Sequence, residues 1–254
     1  MMTRPCGLSR RILKTGDKRV KVLGHRGAAG TAPENTLPAF EKGLEYGVDG
    51  FEFDVQLTRD GEVVICHDER VDRTSDGVGW LKDFTLKELK ALDFGVRFGR
   101  RAEIPRLNEL LSLLEGRDLL LNVEVKSSFL VEYPGIVDKV VELLAEYRVL
   151  PRSVLSSFDH RVVAEVIRKY PQVATGLLYS SGPLQPWLYA KKIGAGNLHP
   201  HFAFVDPELV RESHARGIGV NVWTVDEPWV MEKMAAAGVD WVITNYPERL
   251  RRGT

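Results

Sequence analysis

From Leu107 to Thr244 the chain repeats one unit six times: an amphipathic stretch with helical spacing, then a short apolar run. Such a rhythm admits few folds, because each run must pair with a parallel neighbour across a helical crossover. The pattern predicts a helix near Leu107–Leu114 and a strand over Leu119–Val125. Helix Ile136–Tyr147 and strand Val154–Ser157 follow, then helix Arg161–Tyr170 and strand Thr175–Leu178. The series closes with helix Pro186–Lys192, strand Asn197–His199, helix Pro207–Arg216, strand Gly219–Trp223, helix Pro228–Ala237 and strand Trp241–Thr244. Two earlier strands, Val20–Leu23 and the run through Glu52 and Asp54, bring the total to about eight. Eight β-then-α units are the signature of an α/β TIM (β/α)8 barrel. An open doubly wound sheet uses the same alternation with fewer strands and is the structural alternative.

Before Leu107 the rhythm breaks. Asn35 or Thr36 can cap a helix in which Leu37, Phe40 and Leu44 recur at helical spacing, ended by Gly47. Thr58-Arg59-Asp60-Gly61 then reads as a tight turn, so Val63–Cys66 is expected to pair antiparallel with the strand before it. Residues from about 57 to 106 are charged and turn-rich, with one helical stretch near Leu86–Leu92. They read as a small insertion after the second strand. Residues 1–19 read as a basic, poorly ordered lead-in, and 20–254 as a single catalytic barrel domain.

Barrel strands are buried on both faces, so polar residues near their C-terminal ends carry information. Phe51, Phe53 and Val55 share one face of a strand; Glu52 and Asp54 share the other. Asn122, Glu124 and Lys126 likewise share a face. His25-Arg26, His67-Asp68, Ser156-Ser157-Phe158-Asp159 and Asn221-Val222-Trp223-Thr224 complete the set. Two carboxylates on one apolar strand are costly to bury without a positive partner. Oxygen-only ligands favour one divalent cation of the hard type, magnesium first, with calcium and manganese as alternatives to it. Arg26 and Lys126 suit a phosphate anion. His25 and His67 supply an acid and a base for cleaving a phosphodiester, with the assignment between them open. Each residue has a plainer reading: a packed loop histidine, an internal Glu124–Lys126 ion pair, a core tryptophan. His199 and His201 are taken as rim residues of no assigned role.

A formal net charge of zero gives no bulk attraction to nucleic acid or anionic membrane. Cys6 and Cys66 form no disulfide framework and match no zinc spacing, and Cys66 reads as a buried thiol. No apolar run spans a bilayer and no signal-peptide core is present, so a soluble cytoplasmic protein is expected.

In order along the chain stand His25-Arg26-Gly27, Pro33-Glu34-Asn35-Thr36 with Phe40, Glu52-Phe53-Asp54-Val55, His67-Asp68, Asn122-Val123-Glu124-Val125-Lys126, Ser157-Phe158, Trp223-Thr224-Val225 and Thr244-Asn245-Tyr246-Pro247. This ordered set resembles the glycerophosphodiester phosphodiesterase family from about Val20 to Arg249. The resemblance implies a TIM barrel with an insertion after the second strand. It also implies hydrolysis of diesters such as glycerophosphocholine or glycerophosphoethanolamine to glycerol 3-phosphate and an alcohol. It matches Glu52, Asp54 and Glu124 to metal ligands, His25 and His67 to the acid/base pair, and Arg26 and Lys126 to phosphate contacts. Phe158 and Trp223 match walls of the glycerol side. The implied partner is a small glycerophosphodiester, with no nucleic acid, no stable membrane association and a monomer or homodimer as the assembly. One position departs from the common pattern: Asn245 stands where Asp is common, a change attributed to the closing strand. A lysophospholipase D and a non-catalytic barrel that binds phosphorylated ligands are the rival readings. A sugar-phosphate isomerase fits the three carboxylates less well.

Overall fold

The computed structural model describes residues 14–15 and 18–251, with side chains described from 19 to 249. Most of the expected N-terminal lead-in lies outside the described residues; Lys14–Thr15 and Lys18–Arg19 form a two-residue antiparallel ladder.

Eight parallel strands follow: β1 (Lys21–His25), β2 (Gly50–Leu57), β3 (Leu120–Val125), β4 (Ser153–Ser157), β5 (Ala174–Tyr179), β6 (Asn197–Pro200), β7 (Gly219–Val222) and β8 (Trp241–Thr244). Each pairs with the next, and β8 pairs in parallel with β1 from Trp241↔Lys21 to Thr244↔Gly24. That last ladder closes the barrel and excludes the open sheet. Among the described residues, and apart from the insertion, seven α-helices lie between barrel strands: α1 (Leu37–Tyr46), α2 (Leu107–Leu113), α3 (Ile136–Glu146), α4 (His160–Lys169), α5 (Pro186–Ile193), α6 (Pro207–His214) and α7 (Pro228–Ala237). A 3-10 turn, Pro247–Arg251, follows β8.

All eight residues of β2 are buried, yet its two faces differ. Phe51 and Phe53 meet the ring of Phe40 from α1 edge-on, at 5.2 and 5.9 Å. They belong to a cluster with residues of α2 and α3. The opposite face, Glu52, Asp54 and Gln56, therefore points into the barrel. A second cluster joins Val22, Leu177, Leu198, Val220 and Val242 to the helices on the other side of the barrel.

The insertion begins as expected. Val63–Ile65 pairs antiparallel with Val55–Leu57. The segment then folds over a small core of its own that includes Cys66, Val71, Leu81, Leu89 and Phe94. Its short helix, Leu86–Ala91, starts with a reciprocal capping box between Thr85 and Glu88. α1 ends as the sequence indicates, on Gly47 in the left-handed region. Its start differs. Thr36 is the N-cap residue, but its hydroxyl donates to Pro33 O, and Asn35 turns to the barrel mouth.

Candidate active site

Strand register sets the acidic group. Asp54 lies opposite Glu124, and Glu52 opposite Asn122, in the β2–β3 ladder. One oxygen from each of Glu52, Asp54 and Glu124 lies within 4.8 Å of the others, and all three residues are buried. Positive charge comes from two rim residues. Arg26 Nε is 3.4 Å from Asp54 Oδ2. Lys126 Nζ donates to Glu124 Oε1 at 2.6 Å and stands 3.6 Å from Asp54 Oδ1. Asn35 Nδ2 donates to Asp54 Oδ2 at 2.9 Å. Arg26 and Asn35 both have left-handed backbones, at φ 51° and 57°. The local strain at Arg26 is of order 1 kcal/mol. It is held by hydrogen bonds from Arg26 N to Glu52 O and from Asn35 N to Arg26 O.

The electrostatics are uneven. Burial, then the neighbouring Asp54 and Glu124, pushes the Glu52 carboxyl well above the usual range. Burial also raises Glu124, with Lys126 opposing it. Burial would raise Asp54 as well, but Arg26 and Lys126 hold it far below the ordinary value. Asp54 Oδ1 is buried without a hydrogen-bond partner. Three carboxylates face two cations, so the side chains alone leave the group short of positive charge. An all-oxygen donor set of this kind fits a hard divalent ion.

The two imidazoles are oriented differently. Asn245 commits its amide Nδ2 to Asp226 Oδ2 at 2.7 Å, which turns Oδ1 toward His25 Nδ1 at 2.6 Å. His25 Nδ1 therefore carries the proton and Nε2 the lone pair, 3.6 Å from Glu52 Oε2. Burial, then Arg26, lowers the His25 pKa to about 4, so the ring is neutral. His67 Nδ1 donates to Asp68 Oδ1 at 2.5 Å. Against the upward push of burial, hydrogen bonds from His67 and Arg73 keep the Asp68 carboxyl well below its ordinary range. A small pocket is lined by His25, Arg26, Glu52, His67, Asn122, Glu124, Phe158 and Trp223. Phe158 and Trp223 meet edge to face at 5.4 Å on one side of it.

Of the residues singled out from the sequence, His25, Arg26, Glu52, His67, Glu124, Phe158 and Trp223 line one opening, with Asp54 and Lys126 bonded to that group. Ser157 and Asp159 instead bond to Val125 O and Arg161, respectively, and two further positions read differently in three dimensions. His199 is not a rim residue: its ring is fully buried inside the barrel. Asn245 does not act on the closing strand alone, since it touches His25 directly. His201 does lie at the rim, with ring contacts to Phe202 and Trp223. Cys66 is buried, and burial raises its thiol to about 12. Sequence reading gave no role to Glu34, Arg73 or Asp226. Nothing local to those residues signals a partner that lies on another loop.

Acidic groups able to take up a cation, set beside cationic groups that complement phosphate, define a class: barrel hydrolases of phosphoric esters. A sequence model of the Glycerophosphoryl diester phosphodiesterase family matches residues 25–249. The chain is 44% identical over 232 residues to a glycerophosphodiester phosphodiesterase of Caldanaerobacter subterraneus subsp. tengcongensis, covering 90% of this chain and 95% of that protein. A phosphodiesterase of Oleispira antarctica, solved in complex with the product sn-glycerol-3-phosphate, superposes with a TM-score of 0.83 at 30% identity, over 91% of this chain and 95% of that one. A glycerophosphodiester phosphodiesterase of Thermotoga maritima superposes with a TM-score of 0.76 at 30% identity, over 92% and 98% of the two chains. The chain belongs to the glycerophosphodiester phosphodiesterase family and is an enzyme of phosphoric diester hydrolysis.

Proposed function

We propose that this enzyme hydrolyses glycerophosphodiesters such as glycerophosphocholine and glycerophosphoethanolamine to glycerol 3-phosphate and an alcohol, with His25 as general base and His67 as general acid. The observation that carries the reading is the convergence of Glu52, Asp54 and Glu124 with two differently oriented imidazoles at one mouth. The three carboxylates would hold one divalent ion, magnesium first by donor chemistry, which supplies charge to the non-bridging phosphate oxygens. Arg26 and Lys126 bind those oxygens and offset the charge that develops on them. The lone pair on His25 Nε2 takes the proton of the attacking hydroxyl, from water or from the substrate's own glycerol. His67, its Nδ1 backed by the Asp68 carboxylate, gives its Nε2 proton to the departing alkoxide. Phe158 and Trp223 wall the glycerol side. Residues 20–254 act as one catalytic unit in the cytoplasm, as a monomer or homodimer without stable membrane association. No described helix is long and apolar enough to cross a membrane.

A lysophospholipase D reading draws on exposed apolar side chains after β3 and β5: Phe129 is 90% exposed and Leu184 96%. The deciding assay is release of glycerol 3-phosphate from glycerophosphocholine and glycerophosphoethanolamine, against choline release from lysophosphatidylcholine, with magnesium, calcium, manganese or chelator. Turnover of the glycerol diesters, lost on chelation, is expected. His25→Ala and His67→Ala each lose at least about a hundredfold in turnover. Near-normal rates in either variant remove that histidine from the mechanism.

A further inference from the structure

Asp68 orients His67, but Asp68 is itself a partly exposed carboxylate on a loop, 25% accessible at its side chain. A loop carboxylate held by an imidazole alone rotates freely and orients little. Gln56 fixes the backbone here: its Nε2 donates to Cys66 O at 2.7 Å and to Asp68 O at 2.8 Å. The carboxylate is fixed by another residue. Arg73 Nε donates to Asp68 Oδ2 at 2.5 Å and Nη2 to Asp68 Oδ1 at 3.0 Å. The same guanidinium donates from Nη1 to Glu34 Oε2 and from Nη2 to Glu34 Oε1, both at 2.7 Å. Glu34 also accepts from Arg26 Nη1 at 2.8 Å. One planar fork therefore grips two carboxylates, one from the loop after β1 and one from the loop after the hairpin strand.

Arg73 is well anchored for this. Two residues before it, Val71 is fully buried in the insertion's core. Two residues after it, Ser75 donates to Val71 O through its hydroxyl at 2.9 Å and its amide at 3.0 Å. Only a guanidinium offers paired donors along two edges, so lysine does not reproduce the arrangement.

We infer that Arg73 is a positioning residue for the leaving-group side of the reaction: braced on Glu34, it holds Asp68 so that Asp68 aligns the imidazole of His67. The insertion then does more than cover the barrel mouth, since its core sets the aim of the acid. This inference rests on the reading of His67 as the proton donor.

The test compares two substrates that differ only in the alcohol released. Choline leaves as a basic alkoxide that requires a proton; p-nitrophenol leaves unaided as its phenolate. kcat/KM is measured for glycerophosphocholine and for glycerol p-nitrophenyl phosphate, on the full chain, for the wild type, Arg73→Gln, Arg73→Lys and His67→Ala. Arg73→Gln is expected to lose at least about tenfold on the choline diester and less than about threefold on the nitrophenyl ester, with Arg73→Lys between it and the wild type. The ratio of the two losses does not depend on how much of a variant is folded, so a destabilised preparation still gives an answer. Equal losses on both substrates, or no loss on the choline diester, overturn the brace. If His67→Ala itself loses equally on both, the assignment of His67 has failed; if His67→Ala discriminates and Arg73→Gln does not, the role of Arg73 alone has failed.

Discussion

Acid is expected to weaken this barrel from within, and His199 is one of the residues responsible. Its ring lies between β3 and β7, with Nδ1 3.5 Å from Asn122 Nδ2 and Nε2 2.9 Å from the Asn221 amide. The Ser156 hydroxyl donates to Asn122 Oδ1, which turns Asn122 Nδ2 toward the ring. Asn221 also turns its Nδ2 to the ring, at Nε2, so neither ring nitrogen meets a charged partner. Trp241 packs against the ring at 6.4 Å, and a Cβ on Gly176 would fall 2.5 Å from it. No carboxylate contributes here: burial alone lowers the pKa from 6.5 to about 3. Above pH 6.5 the ring is neutral in both folded and unfolded chains, and its contribution to stability is fully present. As pH falls below 6.5 the unfolded chain takes up a proton that the folded chain refuses until about pH 3, so stability drops over that window. At pH 5 the loss is about 2 kcal/mol, from about 1.4 kcal/mol per pH unit. The assay is urea unfolding of the wild type and His199→Gln at pH 7.5 and 5.0, in chelator. Other titrating groups, His25 among them, cancel in the difference of differences. The wild type should lose about 2 kcal/mol more than the variant between the two pH values. Equal losses to within about 0.5 kcal/mol, or a larger loss in the variant, would refute the assignment of a neutral buried ring.

The acidic group and the helix-facing core give two further predictions. Glu52→Gln keeps the shape of a side chain whose ionisation burial disfavours, so in chelator it should melt at or above the wild type. Magnesium at about a hundred times its dissociation constant should raise the wild-type Tm by about 5–10 °C and the variant's by clearly less; an equal shift in both would remove Glu52 from the ligand set. Phe40→Ala deletes a fully buried ring that meets Phe51 and Phe53. It should cost about 3–5 kcal/mol in urea unfolding, and a cost below about 1 kcal/mol would contradict the packing described.

Fold and acidic centre were legible in the sequence because both follow from short-range periodicity. A strand has period two, so Glu52 and Asp54 must share a face, as must Asn122, Glu124 and Lys126. Strands buried on both sides read as apolar runs, and the polar breaks in them mark the mouth. The short turn at Thr58–Gly61 limits Val63–Ile65 to an antiparallel partner. The tertiary structure decided which groups answer one another across the chain. Asn245 meets His25 from 220 residues away. Arg73 meets Glu34 from 39 residues away. Asn35, which has the look of a helix cap, serves Asp54 instead. His199, which looked like a rim residue, lies inside because its strand turns that face inward. Period and propensity are properties of neighbouring residues, whereas a hydrogen-bond partner or a buried charge is set by strand order and barrel closure. Only the closed barrel could say which histidine holds a lone pair toward the carboxylates and which is backed by one.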